Sequence, residues 1–160
     1  MAALVVAMSA GLVAMAARVS GDPGAVAQAE LIRERVTPLA TEDAEAYRAA
    51  LSAMRAPEGD TSERRDEAIH KALVRAAEVP LQIAEAAGTA ASLAASVAAR
   101  GSEAVRGDAA AAALLAAAAA RASANLVAIN LAAGAENDLV ARAREVAEDA
   151  ADSARFVLDA

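Results

Sequence analysis

One carboxylate between Pro38 and Met54 stands where a helical pattern asks for an apolar side chain. With the segment wound at about 100° per residue and Val36 at zero, Leu39, Ala40, Tyr47, Leu51 and Met54 gather within about 60° of that direction. Glu42, Glu45 and Arg48 point away, while Asp43 falls roughly 20° from the centre of the apolar stripe. A carboxyl group held there gives up water. That favours its protonated form and lets it donate and accept a proton near neutral pH, as a general acid–base catalyst must. The same position also fits a buried ion pair or a stripe edge touching water, and the wheel leaves these readings open. Asp108, after Gly107, has the simpler role of an N-cap for the apolar run that follows. Asn125 and Asn130 lie within that run, and their amides need partners, which a neighbouring helix or a heterocyclic ligand would supply. His70, beside Ile69 and Leu73 at the edge of a stripe, is given no role.

Composition confines the chemistry to carboxylates, amides and backbone. There is no Cys, hence no disulfide framework, thiolate site or Cys nucleophile, and a single His makes no His-based metal site; no metal is expected. A net charge of -7, with no basic run longer than Arg64-Arg65, excludes the basic surface that nucleic acid requires. The chain is 58% hydrophobic with Tyr47 and Phe156 its only rings, so its core must be built from Ala with Leu, Val, Ile and Met between. At 160 residues it reads as one domain spanning 1–160.

The elements that must position Asp43 are all helical. Ala2 to Val19 reads as a buried helix on a Leu4, Met8, Leu12, Met15 stripe, ended by Ser20-Gly21-Asp22-Pro23-Gly24. A second runs from about Ala25 to Val36, and Thr37-Pro38 either kinks it or starts a new helix that continues to Met54. A third long helix opens at Thr61/Ser62, kinks at Pro80 and stops near Arg100, with Gly101 as its left-handed end. Asp108 to Leu131 is a central helix, surrounded on nearly all sides, and Glu136 to Asp159 is the last. The expected fold is all-α, a multihelical bundle of about five long helices, two of them kinked at Pro38 and Pro80. The central helix has membrane length, but it is Ala-rich, carries Arg121 and lacks an aromatic belt, so no membrane partner is expected. No basic residue precedes the apolar start of the chain, so a signal peptide is not expected and the location is read as cytoplasmic.

Leu39-Ala-Thr-Glu-Asp43-Ala-Glu-Ala-Tyr47, then Val79-Pro80-Leu81, then Gly101 and Arg106-Gly107-Asp108, then Asn130-Leu131 form an ordered set. In that order and at those intervals it resembles the formiminotetrahydrofolate cyclodeaminase and methenyltetrahydrofolate cyclohydrolase family, over nearly the whole chain. The resemblance implies an all-helical homodimer that places a tetrahydrofolate derivative between helices, with no other cofactor. It makes Asp43, in the pattern D-A-x-A-[FY], the catalytic acid. It gives Asp108 the pterin's donor edge and Asn130 an amide contact, while Arg106 is among the arginines that a polyglutamate tail would seek.

The departures are specific. The family's Pro-Gly-Gly-Gly-Ser turn precedes the first helix, and this chain begins at Met1 where that turn would end, which implies a start further upstream. Ser20 to Gly24 replaces a basic, aromatic segment, and Leu126 stands where the family has its first Asn, with Asn125 one residue earlier. These differences support an alternative, a catalytically inactive helical dimer of the same fold acting as an assembly or binding subunit.

Overall fold

The computed structural model describes residues 1–55, 62–132 and 137–159. They form six helices: α1 (Ala2–Val19), α2 (Pro23–Val36), α3 (Leu39–Arg55), α4 (Ser62–Arg100), α5 (Glu103–Leu131) and α6 (Asp138–Asp159). The all-α bundle is the fold expected. Thr37-Pro38 separates α2 from α3, and with that break counted as a bend the elements are the five long helices read from the sequence. Pro38 has no N–H with which to continue the ladder, and the Thr37 hydroxyl donates to the Arg33 carbonyl at 2.6 Å, closing α2. Pro80 leaves α4 continuous from Ser62 to Arg100.

Local chemistry accounts for the turn between α1 and α2. Gly21 adopts φ 69°, where a side chain would be strained. The Asp22 N–H then reaches the Ala17 carbonyl at 2.9 Å, and the Gly21 N–H reaches Arg18 at 3.2 Å, which satisfies the last carbonyls of α1. Asp22 goes on to cap α2, its carboxylate accepting from the Ala25 N–H at 2.9 Å with Pro23 in the first turn. It also pairs with Arg100 at 3.0 Å, tying this turn to the end of α4.

The core is alanine and valine. Its largest fully enclosed side chains are Val6, Val13, Val36, Val79, Val97, Val127, Val140 and Pro80, while Tyr47 and Phe156 stay more than half exposed. Small side chains let axes approach closely. A Cβ on Gly88 of α4 would lie 2.9 Å from a Val146 methyl of α6, and one on Gly101 would lie 2.7 Å from the Val97 carbonyl and 2.8 Å from the Ser20 hydroxyl. Gly101 is therefore required by crowding, and the expected left-handed conformation is not found there. The α1 helix lies antiparallel to α5, since Ser20 meets Gly101 while the buried Ser9 hydroxyl donates to the Ala112 carbonyl at 2.8 Å.

Three expectations change. The face of α1 that turns inward is Ala3, Val6, Ala10, Val13 and Ala17, and Leu4, Met8 and Met15 face out, because close contact with neighbouring axes admits only the smaller side chains. The α5 helix starts at Glu103, so Asp108 sits in its second turn and is not the N-cap; Ser102 takes the cap position. Nor is α5 covered all round, for Ala111, Leu114, Ala118 and Ala122 are exposed.

Candidate active site

Leu39, Ala46 and Ala50 are the buried line of α3, and they seat it chiefly on α4. Asp43 lies just beside that line and is half-buried, neither enclosed nor out in bulk water. The neighbouring Glu42, on the opposite edge of the seam, takes Arg75 of α4 at 3.4 Å, and Arg75 also reaches Glu78 at 3.4 Å. The nearby guanidinium is thus spent on Glu42. Asp43 has no hydrogen-bond or ion-pair partner among the described residues.

An open hollow of about 500 Å³ begins one turn from Asp43, at Leu39, and runs between α2 and α4. Ile32 and Arg35 line it from α2, and Gln82, Glu85, Ala86 and Thr89 from α4. Its volume suits a small heterocycle. It continues past Thr89 into a second hollow of about 450 Å³ bordered by Gln28, Ser92, Ser96, Asp22 and Arg100. Sequence reasoning missed these lining residues, although Gln82, Glu85 and Thr89 recur at three- and four-residue steps directly after Pro80 and so share one helix face.

Asn130 has a defined partner. Its amide N–H donates across to the Ala76 carbonyl of α4 at 2.5 Å. Ala76 lies four residues before Pro80, so its carbonyl is the one that Pro80, lacking an N–H, leaves without a helical donor. Asn130 supplies that donor from α5. Arg75 and Ala76 thus bring two sites to one level of the bundle, the turn of α3 that carries Asp43 and the end of α5 that carries Asn130.

Arg106 and Asp108 are elsewhere. Asp108 is half-buried and Arg106 exposed, in the first turns of α5. Asp108 and Asn130 are 22 residues apart on one continuous helix, about 33 Å by its rise. One pterin cannot touch both within a single chain. Asn125 and His70 are exposed.

The family model described as Formiminotransferase-cyclodeaminase matches residues 1–149. The chain belongs to this family. Among solved structures, this formiminotransferase-cyclodeaminase family member is similar to formiminotetrahydrofolate cyclodeaminase from Thermotoga maritima, with a TM-score of 0.85 at 22% sequence identity. The superposition covers 99% of this chain and 83% of that one, and at this identity the likeness is one of fold. No curated protein sequence matches the chain. The family assignment reaches the Leu39–Tyr47 segment, the Val79-Pro80-Leu81 step within α4 and Asn130, which the geometry gathers at one level. It also reaches Asp108, which the geometry sets apart.

Proposed function

We propose that the protein is a folate one-carbon enzyme. It is either a cyclodeaminase, turning formiminotetrahydrofolate into methenyltetrahydrofolate and ammonia, or a methenyltetrahydrofolate cyclohydrolase. The observation that carries this reading is Asp43, a half-buried carboxylate without a partner, one turn from a hollow of about 500 Å³ in a chain of this family. In the cyclohydrolase, water attacks the methenyl carbon between N5 and N10. Asp43 takes one proton of the water as the C–O bond forms and returns it to the ring nitrogen as its C–N bond breaks, while the remaining hydroxyl proton leaves to solvent as the formyl carbonyl forms. In the cyclodeaminase, N10 attacks the formimino carbon, and Asp43 carries the N10 proton to the departing ammonia. No metal or further cofactor enters either scheme. Asn130 stands at the level of Asp43 with an amide contact to offer. Asp108, for the pterin edge, and Arg106, for a glutamate tail, would reach the same folate only from a second copy in a homodimer. The reading places the enzyme in the cytoplasm.

The test follows the ultraviolet absorbance of methenyltetrahydrofolate and, separately, ammonia release from formiminotetrahydrofolate. The wild type is expected to accelerate one of the two, and Asp43→Asn to lower kcat by about 10²-fold or more with helical content unchanged. Equal rates for wild type and Asp43→Asn would remove Asp43 from the mechanism. A second reading, an inactive subunit of the same fold, is favoured by the separation of Asp108 from Asn130 and by the commitment of Asn130 to Ala76. No acceleration by the wild type in either assay decides for it.

A further inference from the structure

Among the described residues, the hollow between α2 and α4 has one carboxylate on its walls, that of Glu85. Ile32, Leu39 and Ala86 line it with apolar surface, and the first two are almost fully enclosed, so a flat ring has a dry wall to lie on. Gln82 stands one turn before Glu85 on the same face of α4, with Cβ atoms about 5–6 Å apart. Its amide has no hydrogen bond among the described residues. Glu85 is only loosely held. Its side chain is half exposed, and its partner is Arg142 of α6, whose Nε meets Oε1 at 3.4 Å and whose Nη1 is shared with Glu145 at 3.5 Å. The Thr89 hydroxyl donates to the Glu85 backbone carbonyl at 2.9 Å, so it does not compete for the carboxylate.

We propose that Glu85, assisted by Gln82, is the residue that reads the pterin edge of the substrate; the proposal rests on the folate reading above. The 2-amino group and N3–H of a pterin are two N–H donors pointing the same way. A carboxylate accepts such a pair at two points, as it accepts the fork of an arginine, and the neighbouring C4 carbonyl takes the Gln82 amide N–H. A ring lying on the Ile32 and Leu39 wall covers the carboxylate as it binds, and a ring without those donors would leave a charge desolvated and unpaired. Glu85 therefore selects as well as holds. It supplies the edge contact from the chain that carries Asp43, one turn from Leu39, whereas Asp108 lies in the first turns of α5 and lines no part of this hollow.

The test compares two rings at equilibrium. The chain has no Trp, so the fluorescence of 6-methylpterin can be followed as it binds. In 6-methyllumazine a carbonyl replaces the 2-amino group. The wild type is expected to bind the pterin about 10- to 100-fold more tightly, the worth of a hydrogen bond to a charged group. Glu85→Gln should shrink that preference to within about threefold and raise KM for the tetrahydrofolate substrate about 10-fold or more, with kcat little changed, because the edge contact is the same before and during reaction. Arg142→Ala should leave the preference intact, which separates ring reading from the α4–α6 ion pair. A wild type that binds neither ring or does not distinguish them overturns the proposal. So does a preference that survives Glu85→Gln, or one that Asp108→Asn abolishes while Glu85→Gln spares it. Failure of the enzyme reading looks different: a chain that prefers the pterin through Glu85 yet accelerates neither reaction keeps this site and loses the activity.

Discussion

Two helices, α5 and α6, pack on α4 and on each other, and both bury alanine and valine. The buried residues of α6 are Val140, Ala143, Ala147, Ala150, Ala154 and Val157; those of α5 include Val105, Ala109, Ala112, Ala116, Ala120 and Val127. The outer faces differ over their middle turns, although α6 also exposes Phe156 and Leu158 near its end and α5 exposes Arg121 and Asn125. Arg142, Arg144, Glu145, Glu148, Asp149, Asp152 and Arg155 are exposed on α6, whereas α5 exposes Ala111, Leu114, Ala118 and Ala122. The buried face of α5 is wider, adding Ala113, Ala119, Ser123 and Ala124, yet Ala111, Leu114, Ala118 and Ala122 lie outside it, so burial within one chain is not what makes those four positions apolar. The contrast is one of surface rather than of core. It also separates two ways of holding α4. On the α6 side Gly88 admits Val146 and exposed pairs such as Arg142–Glu85 at 3.4 Å surround the contact, while on the α5 side Asn130 is bonded to a carbonyl orphaned by Pro80.

The largest effect that tests this comparison is overpacking. Ala116 of α5 and Ala147 of α6 are essentially inaccessible, so leucine at either has to displace a neighbouring axis. Each substitution should cost about 1–3 kcal/mol, lowering Tm by roughly 2–4 °C per kcal/mol in a chain of this size. Ala111→Leu, on the outer face of α5, should change monomer stability by less than about 0.5 kcal/mol. Thermal melts of the three variants decide it, and a tolerated Ala116→Leu would show that α5 is not held as closely as α6.

How far the fold was legible follows from the same contrast. The span Ala2–Val19 is read correctly from end to end, because an unbroken apolar run meets the strong stop Ser20-Gly21-Asp22-Pro23. Which of its faces turns inward is not legible, since α1 is apolar on every side and its hydropathy has no direction. Size decides instead, and the alanines go in. At Asp108 a good capping residue competes with the helix-forming Glu103-Ala104-Val105-Arg106 before it, and the helix extends back through Gly107. Asp43 stands out in the sequence because α3 has a charged face to measure against; its half-burial, and the diversion of Arg75 to Glu42, depend on α4 and lie outside any one-helix wheel. The Gln82, Glu85 and Thr89 face is periodic in sequence, but α2 across from it makes it a hollow.

The next effect is smaller and concerns the α5 side of α4. Asn130→Ala should cost about 1–2 kcal/mol, because the Ala76 carbonyl would keep neither a helical donor nor its amide. Pro80→Ala restores a backbone N–H four residues beyond Ala76, so in that background the same substitution should cost markedly less, a coupling of about 1 kcal/mol. Denaturant unfolding of the four proteins measures it, and equal costs in both backgrounds would mean that Asn130 does not serve the proline. Arg142→Ala is the counterpart on the α6 side, where an exposed pair is worth about 0–1 kcal/mol.

The smallest effect lies in the charged exterior that α6 shares with the first half of α4. Glu67 accepts a hydrogen bond from Lys71, 2.6 Å away, and that bond together with the ammonium charge holds its carboxyl below the ordinary 4.5. A lowered carboxylate pKa stabilises the fold above its ordinary value, and the contribution disappears as pH falls through the folded pKa. The window is therefore acidic, below about pH 4.5, and nothing changes near neutrality. Lys71→Ala should move the Glu67 midpoint up toward 4.5 in an NMR titration and leave Tm at pH 7 unchanged within error, since a fully exposed pair is screened by water. A measurable loss of Tm at pH 7 would mean that the charged exterior holds the bundle together as its alanine seams do, and the distinction between the covered and uncovered sides of these helices would weaken.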